Sequence, residues 1–375
     1  LACFYFFHFL RHGMIFPLIP LYAHELDYSP STIGLIIGSF NFLAMLLAIP
    51  IGGITDRIGV RRMLIFGVCS NIIHSLLLIV TASLGLFLAA QLFGGLGFLL
   101  VIVCTQTYIT AFADSGLRER GFGLISLTSA LGQMIGPLLG GWLLSLLGYA
   151  PVFALSAGMG CLGFCVLGLR QGTGRTKAEK ISLTNTLTEI RSLLANTYLT
   201  MALLVCFSVI FAYSLRSSFL PLLLQEKGVG PGGIGFLLSM FAVSMTLVRF
   251  VIGRLMGVVS REGLLSVTMI LLIIGIGMLP LFVSKTALAL VLLVFGLGFG
   301  MSQPLTMVMV SDVSHSGLAM GIRFSAINLA AFLSPLVMGG VANGLGLDWA
   351  FYAASGWLVL VSLLIAGYTL KRKRH

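Results

Sequence analysis

His8, Arg11 and His12 interrupt the first apolar run of the chain, and Arg216 interrupts a later one. Helical spacing places the first three near one face of a helix. A charge in the middle of such a run costs at least about 2.5–3.5 kcal/mol on insertion scales, so each group must face water, a partner or a ligand. The chemistry on offer is recognition of an anion, and the imidazoles add proton exchange near neutrality. Arg249 and Arg323 lie nearer the ends of their runs, within snorkelling reach of a polar surface. No acid sits opposite: Glu25, Asp27, Asp56, Asp114, Glu119, Glu226, Asp312 and Asp348 fall at the ends of apolar runs or in connections. Arg11 and Arg216 are expected to contribute to a substrate path. His8, His12, Asn41, Gln106, Tyr108, Tyr213, Gln303 and Asn328 are the polar or aromatic groups expected beside them. The competing expectation for either arginine is a structural hydrogen bond to helix carbonyls. His74, alone in its run, is expected as a hydrogen-bonded core residue.

Membrane-spanning helices must position these groups. Hydrophobic residues make up 58% of the 375-residue chain and charged residues 9%, against about 25% charged in a soluble domain. Apolar runs of spanning length recur at 2–24, 32–54, 62–83, 86–112, 122–145, 151–170, 199–224, 232–256, 263–283, 287–310, 318–342 and 349–370. No run alternates in the manner of barrel strands. The fold class expected is an all-α membrane protein with twelve transmembrane helices. The chain begins at Leu1, already in apolar sequence, so a trimmed N-terminus is expected and no cleavable signal peptide is visible.

The net charge of +11 would suit nucleic acid, but its distribution argues for a membrane. Arg57, Arg61, Arg62, Arg118, Arg120, Arg170, Arg175, Lys177, Lys180, Arg191, Arg261 and the Lys371–Arg374 tail fall on one side of the alternating connections. Lys227 and Lys285 fall on the other. That bias places both termini in the cytoplasm. The six cysteines, Cys3, Cys69, Cys104, Cys161, Cys165 and Cys206, lie in apolar runs without zinc spacing and read as packing residues. There is no phosphate-binding loop, nucleophile–base pair or metal cluster. The chain is therefore read as neither an enzyme nor a cofactor protein, and energy for transport must come from a gradient or a partner.

The chain also repeats itself. Pro20, Gly34 and Gly52 recur 201 positions later as Pro221, Gly235 and Gly253, and Gly95 and Gly97 recur as Gly296 and Gly298. Asp114 recurs as Asp312, and Gly136-Pro137 as Ser334-Pro335, 198 positions later. A parallel duplication of this length is the mark of a secondary transporter holding substrate near the bilayer midplane. It divides the chain into two pseudo-symmetric six-helix bundles, 1–170 and 199–375. The polar interval 171–198 is expected to be a flexible link and a cytoplasmic amphipathic helix carrying Leu183, Leu187, Ile190 and Leu194.

Two motifs point further. The stretch Gly52-Gly-Ile-Thr-Asp56-Arg57-Ile-Gly-Val-Arg61-Arg62 reads as a short cytoplasmic loop between antiparallel helices. It resembles the loop between helices two and three of the major facilitator superfamily. That resemblance implies a latch, with Asp56 facing the start of the eleventh helix near Ser316–Leu318 and the basic Arg118 or Arg120. The second copy, Gly253 to Arg261, lacks the acid. In the fifth span, Gly132, Gly136, Pro137, Gly140 and Gly141 form a stripe that admits a neighbouring helix. It is similar to the helix-five motif of the family's exporters, and Ser334 and Pro335 repeat it loosely. The fourth span departs from the proton-coupled exporters, with Gln91 where they carry a buried arginine.

The resemblance implies alternating access by a monomer in a bacterial inner membrane. The expected activity is export of small amphipathic compounds, leaning to anionic or zwitterionic ones, with protons or another ion as possible coupling partner. The alternatives are uptake of an organic anion, lipid flipping, or a receptor built on a transporter fold.

Overall fold

The fold follows from apolar runs punctuated by proline and glycine. A computed structural model describes residues 2–47, 50–81, 83–110, 115–168, 191–313 and 317–373, and among these every regular element is helical. In chain order the helices are α1 (Ala2–Ile15), α2 (Leu18–Glu25), α3 (Pro30–Leu47), α4 (Pro50–Ile58), α5 (Val60–Ile79), α6 (Leu84–Thr110), α7 (Ser115–Leu147) and α8 (Tyr149–Gly168). They continue as α9 (Thr197–Ser218), α10 (Leu220–Glu226), α11 (Pro231–Val258), α12 (Arg261–Gly277), α13 (Lys285–Val313), α14 (Gly317–Leu345) and α15 (Leu347–Lys373). Eleven helical segments among the described residues are long and apolar enough to cross a bilayer, and α8 adds the shorter apolar stretch Tyr149–Gly163. The all-α membrane fold class is borne out. Most of the expected link at 171–198 lies outside the described residues, as do Asp114 and Ser316.

Two expected spans are broken near their ends. The first divides between Ile15 and Leu18, where Pro17 and Pro20 each remove a backbone donor. The seventh divides at Phe219, next to Pro221. The stretch read as a loop at 52–62 is shorter than expected. α4 remains helical through Ile58, and Gly59 alone joins it to α5. Gly59 makes this possible with φ of 95°, a conformation side chains rarely adopt.

Contacts divide the chain into two units. Unit 1 contains Leu1–Tyr28, Leu35–Lys180 and Gly230–Ser239; unit 2 contains Ser29–Gly34, Ile181–Val229 and Met240–His375. In unit 1, α1 packs along α7, and α5 lies against α6 and α8. The core there includes Phe4, Tyr5, Phe9, Leu64, Val68, Leu100 and Val101. In unit 2, α9 packs along α14, and α12 lies against α13 and α15. Large apolar side chains such as Trp142, Leu146, Phe250 and Leu363 are exposed, a surface that lipid rather than water would solvate.

Gly59→Ala should cost about 1–3 kcal/mol through backbone strain alone, since nothing lies within 4 Å of the added methyl. Gly53→Ala, equally open but inside α4, should be neutral or stabilising. Thermal melting of the two purified variants separates the cases; equal losses would remove the backbone explanation.

Candidate functional site

In unit 1 the basic groups of α1 meet four other helices, α3, α5, α6 and α8. Arg11 is 3% exposed. Its Nη2 donates to Asn71 Oδ1 at 2.5 Å, and its Nη1 donates to Ser75 Oγ at 3.2 Å and, at 3.5 Å each, to Asn71 O and Ser156 Oγ. Ser75 and Ser156 are themselves 2.9 Å apart. The guanidinium thus ties α1 to α5 and α8. Sequence reasoning did not single out Asn71, Ser75 or Ser156, although Asn71 and Ser75 at i,i+4 form one polar stripe in an apolar span. His8 is buried, stacks on Phe98 at 5.4 Å and has no hydrogen-bond partner at Nε2. His12 packs among Phe98, Phe16 and Phe40 at 4.4, 4.7 and 5.5 Å. His8 and Arg11 line one small cavity with Asn71. Asn41 and Tyr108 are half-buried, whereas Gln106 is exposed.

His74 occupies the core as expected, against Gly94, but neither ring nitrogen has a hydrogen-bond partner. Gln91, in α6, is fully buried, and both of its amide atoms are unpartnered.

In unit 2 the arrangement is different. Arg216 lies 4.9 Å from the ring centres of both Tyr213 and Phe241, a cation–π geometry. Its Nη2 donates to Tyr213 Oη at 2.9 Å, while its Nε is buried without a partner. Tyr213 stacks on Phe299 with centroids 3.7 Å apart and planes at 9°. The guanidinium and three rings from α9, α11 and α13 therefore form one plate, in which Arg216 and Tyr213 are half-buried and Phe241 and Phe299 buried. Phe241 and Phe299 were not foreseen, because cross-helix stacking has no local sequence signal. One helical layer away, Arg323 Nη2 donates to Gln303 O at 3.3 Å, and to Gln303 Oε1 and Thr306 Oγ1 at 3.1 Å each. Arg323 Nε and Gln303 Nε2 are left unpartnered. Asn328 instead donates to Phe324 O within α14.

Among the described residues, none of Arg11, Arg216, Arg249 and Arg323 has a carboxylate partner. The ion pair between described residues is Arg261–Asp312, partly exposed on both sides. It ties the start of α12 to the end of α13, so the second loop copy, which has lost its own acid, takes one from Asp312. Both residues line an open cleft of about 590 Å³ with Asn196, Tyr198 and Glu262.

Of the expected gating residues, Arg57, Arg61, Arg62 and Arg118 are exposed. The side chain of Asp56 and the surroundings of Gly52 lie outside what is described, so the Asp56 latch stays an expectation. The glycine stripe is brought into use within unit 1. A methyl on Gly132 would lie 2.7 Å from Leu10 N, and one on Gly136 would lie 2.8 Å from the backbone of Gly13. One on Gly140 would overlap the carbonyl of Met14. Gly141 meets Gly235 instead, beside the carbonyl of Pro137. In unit 2, Ser334 is fully buried and donates to Phe211 O at 2.6 Å. The carbonyl of Pro335 lies against Gly34.

A family model described as Major Facilitator Superfamily matches residues 1–316 and 217–375. The chain belongs to the major facilitator superfamily. It is a membrane transporter and not an enzyme. An uncharacterized MFS-type transporter of Methanocaldococcus jannaschii is 24% identical over 360 residues, covering 94% of this chain and 92% of that one. Multidrug resistance protein 1 of Bacillus subtilis is 21% identical over 367 residues, covering 96% and 92%. Among solved structures, the nucleoside transporter NupG superposes with a TM-score of 0.81 at 14% identity, covering 98% of this chain and 97% of that one, which speaks to the fold alone.

Within that superfamily fold, the Arg11 network is testable by stability. Asn71→Leu should cost about 1.5–3 kcal/mol by leaving a buried charge short of an acceptor. The double variant Arg11→Met/Asn71→Leu should be less damaged than Asn71→Leu alone, because the stranded charge is gone. Additive losses in thermal melting would show that the two side chains do not act together.

Proposed function

We propose that this transporter exports small amphipathic compounds, with a preference for anionic or zwitterionic molecules carrying an aromatic ring. The observation that carries the reading is the Arg216 plate. A guanidinium held against Tyr213 and Phe241, with a buried donor unspent and no carboxylate partner among the described residues, suits a carboxylate or sulfonate. The adjoining rings suit an apolar plate. Arg323 with Gln303 offers a second polar point in the same unit. In unit 1, His12 with Asn41, Gln106 and Tyr108 is proposed to complete the substrate path. Arg11 contributes through the helix it holds in place.

Export is favoured by the helix-five stripe on α7 and by similarity to a protein named for multidrug resistance. The cycle proposed is alternating access, with the Asp56 loop favouring the state closed to the cytoplasm and residues 171–198 linking the halves. The setting proposed is a bacterial cytoplasmic membrane with both termini inside, and the working form a monomer. Protons are the proposed coupling ion, carried by His12 or by an acid at a helix end. A second reading, uptake of an organic anion, draws on Gln91: a buried amide where proton-coupled exporters carry arginine removes their usual relay.

Inside-out vesicles containing the protein should accumulate an aromatic carboxylate when a proton gradient is imposed, and right-side-out vesicles should not. Arg216→Gln should lower that accumulation tenfold or more, the loss of roughly one charge-assisted hydrogen bond. The methyl ester of the same compound should be handled equally by both proteins. Accumulation confined to right-side-out vesicles would overturn export. An undiminished rate in Arg216→Gln would remove the plate from the site.

A further inference from the structure

The cavity beside Arg11 carries an inference independent of the substrate reading. It lies within unit 1 between α1, α5 and α8 and has a volume of about 20 Å³, room for one water-sized or halide-sized occupant. Its walls include Phe4, Phe7, His8, Arg11, Val68 and Asn71.

Three observations specify the occupant. Arg11 is permanently charged and 3% exposed, yet the acceptors around it, Asn71, Ser75 and Ser156, are all neutral. A buried charge without a counter-charge is costly even when its hydrogen bonds are made. His8 is 6% exposed and lines the same cavity, and its Nε2 has no partner. An N–H there has no acceptor among the described residues. The remaining described walls are aromatic and aliphatic, so no carboxylate oxygen among the described residues competes for the donors. Aromatic edges carry partial positive charge and tolerate an anion. A water molecule would satisfy His8 but leave the charge of Arg11 unbalanced.

We propose that this cavity binds one halide-sized monovalent anion, chloride under cellular conditions, held by the Arg11 guanidinium and the His8 Nε2–H. The ion balances the charge at the junction of α1, α5 and α8 and stays in place while substrate is transported.

The test is chloride-35 line broadening on the purified full chain at fixed ionic strength. Wild-type protein should broaden the chloride signal, and bromide should displace the bound ion while sulfate should not. Arg11→Gln should abolish the excess broadening. His8→Phe, which keeps a ring against Phe98, should weaken chloride binding roughly tenfold or more and decides the matter if Arg11→Gln does not fold. No excess broadening in the wild type, equal displacement by sulfate, or unchanged binding in His8→Phe would overturn the proposal. Displacement of the chloride by a transported aromatic carboxylate would also overturn it, since the ion would then occupy the transport site. Failure of carboxylate transport with chloride binding intact would count against the Arg216 reading alone.

Discussion

A guanidinium cannot give up its proton in a protein, so an arginine inside a membrane span must be supplied with acceptors, aromatic faces or anions. Among the described residues, Arg11, Arg216, Arg249 and Arg323 lie in spanning helices without a carboxylate partner, and the two units meet that constraint in different ways. In unit 1, Arg11 is surrounded by the neutral oxygens of Asn71, Ser75 and Ser156 on two other helices. In unit 2, Arg216 rests against rings and keeps a donor unused. The two units thus differ: in one the cation holds helices together, and in the other it is proposed to be kept for a ligand.

This division gives the electrostatics a function. Ion pairs would be the simple way to bury such charges, but breaking one to admit a ligand would strand a charge at high cost. An arginine held by π-faces and one tyrosine hydroxyl loses little when a carboxylate arrives. The close packing around it is equally important. Gly132, Gly136 and Gly140 let α7 touch the backbone of α1, so the helix that carries Arg11, His8 and His12 is seated by backbone contact rather than by deformable side chains.

Much of the fold could be read from residue order, since a span needs only length and hydropathy and both survive any tertiary arrangement. The spans 2–24 and 199–224 read as continuous from hydropathy, and the breaks beside Pro17, Pro20 and Pro221 are seen only in the structure. The stretch at 52–62 reads as a loop because glycine and charge dominate it, whereas α4 continues to Ile58 and Gly59 alone makes the turn. The site was less legible. Periodicity puts His8, Arg11 and His12 on one face but cannot say which neighbour that face meets. Arg11 therefore reads equally as a ligand group and as a tie between helices. Tyr213 and Arg216, one turn apart on α9, are visible as a pair. Phe241 and Phe299, which complete their plate, come from other helices and leave no trace near them in the chain.

The central claim is that an unpaired guanidinium on α9 selects anions. Thermal melting of the purified protein with matched aromatic ligands, one acidic, one neutral and one cationic, tests it most directly, because a ligand that binds the folded form raises its melting point. The acid should raise the melting temperature of the wild type but not of Arg216→Gln, and the cation should leave both unchanged. A cation that stabilises the protein as well as the acid, or an acid whose effect survives in Arg216→Gln, would contradict the account.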